Sequence, residues 1–481
     1  MAKLFPATKA ILAVFATAMT LSAFAQAPQP SNNLLQLTAA VRDAGKAASS
    51  LDSQIWNGFH FNQVPLVIWD GASRQILLAH VSPLPDGFVS AGASFPEAGI
   101  GSLPEGSLPT TGVAPFAGRL SAWIDADALA KAGPAQARWL LYQEAFRVYS
   151  QYLGIPPAPS LANGGYPEND AANNAMLRAE ALLCQRLLLA PVGEAPSVAA
   201  ALLALRAQRQ ARLPQEIVSY EWARENSDGL CDYAGYKAAE AIDKASAASS
   251  LNGLLSAASL AGQATSQARW GAAGCALALA LDQSSPSWKT AFEKGSRASL
   301  EPVLRQAFGA AAPTDIAFLN LAALTQEEQK LVDEKQARNT ALLDSITKAK
   351  GLVVVLDLSS ALGFPGVTWT NRYEPKGLVR LDSERMIQSF YKLDGKGVLE
   401  YASSRPSLIK VRQSITAGFA PDEAFAVIVD GKPVTFSPES PTAQGEIEIR
   451  GPQYTLKVAK GRADWSASDR VLKITPMRPE A

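Results

Sequence analysis

Residues 139–149 read WLLYQEAFRVY, and this stretch decides the fold because aromatic residues recur in it at the period of an α-helix. Four of them follow spacings of 3, 4 and 3: Trp139, Tyr142, Phe146 and Tyr149. Side chains at these spacings share one face of a helix, so the pattern predicts that the four rings lie in a core. Gln143, Glu144 and Arg147 then lie on the adjoining faces.

The sequence around this helix predicts an α+β protein. Residues 134–350 are rich in Ala and Leu at helical spacing, which predicts a helical domain of seven to nine helices. Residues 351–481 show the period of strands, which predicts a C-terminal antiparallel β domain. Residues 28–133 predict a helix followed by a short β section.

Finer patterns predict individual elements. The N-terminal section predicts a helix over 33–53, a hairpin of strands at 65–71 and 75–81, and a strand at 120–124. Opposite charges at i,i+3 and i,i+4 over 326–350 indicate a helix with a solvated surface. Asp394-Gly395 and Asp430-Gly431 are typical of tight hairpins. The apolar runs of the last part predict strands at 352–358, 378–381, 397–401, 424–429, 433–436, 446–449 and 454–458.

The first 27 residues have the order of a secretory signal peptide. Lys3 and Lys9 precede an apolar stretch over 10–24, and small residues at 23–27 offer cleavage sites. The alternative is a retained membrane anchor, although the apolar run is short for a span of about 20 residues. We therefore expect a secreted, periplasmic protein. With 44 basic and 44 acidic residues the net charge is zero, so no global field attracts nucleic acid or an anionic membrane.

Cysteine and histidine are scarce. Cys184, Cys231 and Cys275 lie more than forty residues apart, which excludes CxxC motifs and leaves either buried thiols or one disulfide with one thiol over. The only histidines are His60 and His80, which we expect to be hydrogen-bonded residues of the fold. The chain contains no GxSxG elbow and no GxxxxGK or GxGxxG loop, so neither a serine hydrolase nor a nucleotide site has sequence support.

Three segments together resemble a group of bacterial zincin-type metallopeptidase-like proteins over residues 50–310. They are WNGF at 56–59 with PLVI at 65–68, YQEAFRVY at 142–149, and YEWARENSDGLCDY at 220–233. Where the family pattern has HEAFH, this chain has QEAFR. Where the family has a glutamate followed by Gly-Leu-Ala-x-Tyr, this chain has Asp228 followed by Gly-Leu-Cys-Asp-Tyr.

This resemblance implies a degenerate metal site in a zincin-like central domain. In such proteins two histidines and a later glutamate bind zinc, and the glutamate of HExxH activates water. Carried over by position, Gln143 and Arg147 occupy the histidine places, Glu144 the base and Asp228 the third ligand. An amide is a weak ligand and a guanidinium has no lone pair, so zinc is expected to be absent.

The same resemblance suggests what replaces the metal. Arg147 is expected to pair with Asp228 or Glu144, which would make the site a structural salt bridge. The alternative is that these are unrelated surface residues on a helix that never belonged to a zincin.

Other polar residues have simpler interpretations. Arg206, Arg209 and Arg212, at spacings of 3 and 3, predict a solvated helix face, or a face turned to the degenerate site. Asn169 or Asp170 is expected to cap the helix that follows. A calcium site at 125–127 lacks further oxygen ligands, so capping or a turn is expected there.

The expected function is non-catalytic: a peptidase-like module that binds a polypeptide or a cell-envelope partner. The alternative is an active hydrolase that uses Glu144 and Asp228 with a non-histidine metal site or none. A third hypothesis is an architectural protein whose β domain carries the partner surface.

Overall fold

The computed structural model describes residues 31–93, 95–103, 111–156, 161, 165–191, 193–295, 297–309, 316–374, 378–382 and 384–478. These residues form eleven α-helices and nineteen β-strands, which confirms the α+β class. The chain divides into two compact units, Met1–Tyr149 and Ser150–Ala481. The predicted signal peptide lies outside the described residues, and the predicted domain boundaries stay predictions. None of the described helices has a stretch long and apolar enough to cross a membrane.

The first unit contains a six-stranded sheet. Two helices accompany it, α1 (Asn32–Ile55) and α2 (Ala126–Lys131). Its strands are β1 (Leu66–Asp70), β2 (Gln75–Ala79), β3 (Val89–Ser90), β4 (Ala98–Ser102), β5 (Gly112–Phe116) and β6 (Arg119–Asp125). The order is β3-β4-β2-β1-β6-β5, antiparallel except for the parallel β1–β6 pair. The predicted first helix, the β1–β2 hairpin and the strand at 120–124 are confirmed.

The aromatic stripe lies on α3 (Pro134–Tyr152), and its central rings are core residues as predicted. Phe146 lies 5.4 Å from Phe59 and Tyr142 stacks on Phe61 at 4.3 Å, between ring centroids. Tyr142 also donates a hydrogen bond to the Ala44 carbonyl of α1. The stripe therefore fastens α3 to the segment that precedes β1.

Eight further helices follow in the second unit. They are α4 (Ala171–Leu189), α5 (Ala195–Gln210), α6 (Gln215–Glu240), α7 (Lys244–Ser259), α8 (Gln267–Ser284), α9 (Trp288–Lys294), α10 (Glu301–Phe308) and α11 (Leu321–Thr347). With α3 they make nine described helices between residues 134 and 350, within the predicted range. Asp170 caps α4 by accepting a hydrogen bond from the Asn173 amide, and Asp125 caps α2 in the same way through the Asp127 amide.

Helix α11 differs from the sequence prediction in one residue. Most of its charged side chains are exposed, but Glu328 is 1% exposed. Its carboxylate lies 3.1 Å from Arg178 of α4 and accepts the Gly262 amide at 3.1 Å. The prediction of a solvated surface is wrong at this position, because a buried ion pair holds α11 on α4.

Two glycines let α6 and α8 approach closely. A Cβ built on Gly229 would lie 2.5 Å from the Gly274 Cα, and one on Gly274 would collide with the Glu225 carbonyl oxygen. No side chain larger than hydrogen fits between these backbones without moving a helix. The contact therefore sets the distance between α6 and α8.

Thirteen strands form the C-terminal β domain. They are β7 (Leu352–Asp357), β8 (Trp369–Tyr373), β9 (Leu378–Arg380), β10 (Arg385–Gln388), β11 (Tyr391–Gly395), β12 (Leu399–Ser403), β13 (Ser407–Lys410), β14 (Ser414–Phe419), β15 (Ala426–Val429), β16 (Lys432–Pro433), β17 (Thr442–Gly451), β18 (Tyr454–Ser466) and β19 (Val471–Pro476). The main order is β16-β15-β17-β18-β19-β7-β14-β13-β10-β9, and a branch β8-β11-β12 joins at β18. All pairs are antiparallel except β19–β7.

The strand predictions were incomplete. The strand predicted at 433–436 shrinks to Lys432–Pro433, and six strands were not predicted: β8, β10, β11, β13, β14 and β19. The turn at Asp430-Gly431 is confirmed. Its φ angles of 50° and 73° suit a type I′ turn, which requires a positive φ at both residues of a two-residue hairpin loop. Asp394-Gly395 instead ends β11, and the turn follows over 396–398.

We expect Gly229→Ala to destabilise the protein by at least about 1–3 kcal/mol, because the added methyl group forces α6 and α8 apart. Gly253→Ala is the matched control, since nothing lies within 4 Å of a Cβ at this mid-helix position of α7. It should stabilise the protein by about 0.5–1 kcal/mol through helix propensity. Urea unfolding followed by circular dichroism measures both changes. Equal effects of the two substitutions would contradict the close contact.

Candidate functional site

The three predicted residues of α3 lie in the first unit. Glu144 is buried at 5% exposure, whereas Gln143 and Arg147 are half-buried. The Arg147 Nε donates to Glu144 Oε2 at 3.0 Å, and Nη2 lies 3.5 Å from Oε1. This is one of the two pairings expected for Arg147, and it directs a guanidinium at the carboxylate in the base position.

Asp228, the predicted third-ligand residue, lies on α6 in the second unit. Its Oδ2 is 3.0 Å from the Arg224 Nη2 on the same helix, a spacing of four residues. The expected pairing of Asp228 with Arg147 joins residues of different units and stays a prediction. Within α6, the Asp228 carboxylate already has an arginine beside it.

The ordinary metal ligands lie apart in the part of the chain that the structure describes, where no three His, Cys, Asp or Glu side chains group as a metal site. His60 is exposed. His80 follows β2, its Nδ1 lies 3.0 Å from the Val64 carbonyl, and burial lowers its pKa to about 4. It is therefore a neutral residue of the fold, as expected.

The three cysteines Cys184, Cys231 and Cys275 are free and fully buried, which matches the buried-thiol alternative. Burial raises the pKa of Cys184 to about 12. This thiol stays protonated at neutral pH and is a poor nucleophile.

The structure brings together a set of charged residues that the sequence analysis did not group. We call it the arginine–glutamate cluster, and its members are at most 3% exposed: Glu180, Arg206, Arg209, Glu221, Glu225 and Arg269. They come from four helices, α4, α5, α6 and α8. The interpretation of Arg206 and Arg209 as a solvated face is wrong, because both are buried; only Arg212, beyond the end of α5, is exposed.

Arg206 and Arg209 each clamp one glutamate of α6 with both terminal nitrogens. Arg206 donates to Glu225 at 3.1 and 2.6 Å, and Arg209 donates to Glu221 at 2.6 Å through each nitrogen. Such two-point contacts are the strongest arginine–carboxylate geometry. They join α5 to α6.

Glu180 of α4 lies between the three arginines. It accepts a hydrogen bond from Arg206 at 2.5 Å, and its other oxygen lies 3.4 Å from Arg209 and 3.0 Å from Arg269. The Arg269 guanidinium also stacks on Trp270, 4.1 Å from the ring centroid. The cluster thus contains three cations and three anions and is neutral as a whole.

Burial and charge act in opposite directions on the carboxylates. Burial raises the pKa of Glu180, but Arg206, Arg269 and Arg209 together lower it to about 2. Glu225 faces Arg206 alone at hydrogen-bond distance, so burial prevails and its pKa is raised. Tyr166 adds a hydrogen bond of 2.5 Å to Glu221. These carboxylates are occupied by arginines, so the cluster is built to hold helices together.

Complementary spacing was the signal that could have revealed the cluster. Arg206 and Arg209 are three residues apart on one helix, and Glu221 and Glu225 are four apart on the next. Each pair presents two like charges on one helix face. Two helix faces of opposite charge on consecutive helices therefore predict ion pairs between the helices rather than two exposed faces.

Comparisons of the chain with protein-family models, with curated proteins and with solved structures found no match.

We expect Arg206→Met to destabilise the protein by about 3–5 kcal/mol, because Glu225 would lose its partner in a buried place. Arg212→Met is the matched control at the exposed end of the same arginine series and should change stability by less than about 0.5 kcal/mol. Urea unfolding at pH 7 measures the difference. A loss below 1 kcal/mol for Arg206→Met would contradict the buried pairing.

Glu180→Gln tests the lowered pKa. The folded pKa of Glu180 lies below its ordinary value of 4.5, so its charge stabilises the fold above about pH 5, and this contribution is lost as the pH falls toward 2. The gap in unfolding free energy between wild type and Glu180→Gln should therefore be largest at pH 7 and shrink between pH 5 and pH 3. Glu334→Gln on α11, whose pair with Arg338 is 3.9 Å long and exposed, should show a small gap at every pH.

Proposed function

We propose that this protein is a non-catalytic relative of zincin-type peptidases that binds a polypeptide or another cell-envelope partner. The observation that carries the proposal is the pair of Arg147 with Glu144. Hydrolysis in zincins needs a glutamate directed at a metal-activated water. In this chain a guanidinium faces both oxygens of the glutamate at that position.

The carboxylates of α6 support the same proposal. The zincin pattern takes its third ligand from this helix, and Asp228 occupies the corresponding place. Arg224 pairs with Asp228, while arginines of α5 clamp Glu221 and Glu225. The helix has exchanged the role of ligand donor for ion pairing with arginine.

The proposed location is the periplasm. It rests on the order of the first 27 residues, in which two lysines, an apolar stretch and small residues follow one another. The balanced charge of the chain argues against nucleic acid as the partner.

Metal analysis tests the proposal directly. The wild-type protein, purified without chelator and then incubated with Zn²⁺ and dialysed, should retain far less than one zinc per chain. It should cleave an unstructured protein such as casein no faster than the Glu144→Gln variant does. Stoichiometric zinc, or cleavage that Glu144→Gln abolishes, would make the protein an enzyme and overturn the proposal.

Restoring the histidines tests the zincin relationship separately. Gln143→His combined with Arg147→His should bind zinc more tightly than wild type does, because two imidazoles four residues apart on one helix face are the ligand pair of the HExxH motif. If the double variant folds and yet takes up no zinc, these positions are not those of a former zincin site.

A further inference from the structure

The C-terminal β domain encloses a cavity of about 360 Å³. Its walls belong to two runs of paired strands, β8-β11 and β9-β10-β13-β14, together with the segment after β7. Ligand pockets of proteins begin at about 300 Å³, so the space suits one small group. It lies in the second unit, far along the chain from the residues discussed above.

Strand alternation sorts the side chains of β9 and β10 between two faces. Ile387 and Val379 pack with Ile346 and other residues of α11 in an apolar cluster. Their neighbours Leu378, Arg380, Met386 and Gln388 line the cavity. Because side chains alternate along a strand, Arg380 and Gln388 are fixed toward the cavity by the packing of the opposite face.

The floor of the cavity is apolar. Leu358, Leu393, Ile409 and Ile415 line it and also belong to the main core of the β domain. These side chains are nearly fully buried, so an apolar group placed against them would be removed from water. This part of the cavity suits an aliphatic side chain.

Two polar atoms in the wall lack a partner among the described residues. Gln388 is 1% exposed and donates to the Glu374 carbonyl at 2.8 Å, but its Oε1 is buried without a hydrogen bond. The Trp369 Nε1 is likewise buried and unpartnered. Both atoms have almost no solvent-accessible surface, so a ligand in the cavity contacts the side chains in front of them rather than these atoms.

The charged residues that line the cavity are positive. Arg380, Lys410 and Arg412 line it and are exposed, and the described part of the chain offers none of the three an ion-pair partner. Among the described lining residues there is no aspartate or glutamate. Three cations without counter-charge favour an anion, and an arginine binds a carboxylate at two points.

From this geometry we infer that the cavity binds the carboxy-terminal residue of a polypeptide with an aliphatic last side chain. The side chain lies on the apolar floor, and the terminal carboxylate meets the three cations. The inference rests on the proposed binding function and names the end of the polypeptide that is recognised. It requires no reaction.

The test uses the full-length chain and a fluorescein-labelled peptide, Ala-Ala-Ala-Leu, whose binding is followed by anisotropy. The peptide with a free carboxylate should bind at least tenfold more tightly than the same peptide with a carboxy-terminal amide. Equal binding of the two forms would overturn the inference. The absence of binding by either form when protein is added to the labelled peptide up to millimolar concentration would overturn it as well. N-acetyl-leucine carries the same side chain and carboxylate as the last residue and should compete about as strongly as the unlabelled tetrapeptide; failure to compete would overturn the assignment of the cavity to the last residue.

Variants assign the contacts. Arg380→Gln with Arg412→Gln should weaken binding of the free-carboxylate peptide at least tenfold and leave the amide form unchanged. Arg372→Gln is the control, since Arg372 is on β8 outside the cavity lining, and it should bind as wild type does. Unchanged affinity in the double variant would contradict the site.

These outcomes are separate from those for the metal site. Bound zinc or Glu144-dependent cleavage would overturn the non-catalytic proposal even if the cavity bound carboxylate-terminated peptides. Failure of the peptide to bind would leave the metal result untouched and would refute the cavity alone.

Discussion

The helical part of this protein depends on the neutrality of the arginine–glutamate cluster. Three guanidinium groups and three carboxylates are taken out of water together, and each would be costly to bury alone. The cost is offset only when α4, α5, α6 and α8 bring all six side chains within contact. A shift of one helix by a single turn would leave a buried charge without its counter-ion. The cluster therefore specifies how these helices are aligned.

The glycines at the crossing of α6 and α8 belong to the same constraint. Arg269 enters the cluster from α8, and Glu221 and Glu225 enter from α6. Because Gly229 and Gly274 carry no side chain, the two helices lie close together. Arg269 therefore reaches Glu180, while Glu221 and Glu225 reach Arg209 and Arg206. Close backbone packing and buried charge are thus two parts of one arrangement, and neither would be satisfied without the other.

Arginine pairs with carboxylates at several places in the helical part of the chain. Arg147 faces Glu144, Arg224 faces Asp228, and the arginines of α5 hold Glu221 and Glu225 of α6. A guanidinium can neutralise a carboxylate and satisfy two of its lone pairs, but it cannot activate water as a Lewis acid. The β domain differs, because its cavity presents three cations for which the described residues provide no counter-charge. We therefore propose binding there and structural pairing in the helices.

The sequence by itself determined where the chain changes from helices to strands, near residue 350. A helical aromatic stripe and the hairpin at Asp430-Gly431 are local patterns that need no distant partner. It also limited one cap to Asn169 or Asp170 and predicted a cap or a turn at 125–127, because Asp170 and Asp125 act on amides only two or three positions away. It did not find β13 or β14, whose strands are made by pairing with distant segments. Burial of Arg206, Arg209 and Glu328 was decided only by the tertiary structure. A charged side chain is equally compatible with water and with a buried counter-ion, and only the packing of separate helices determines which of the two it meets.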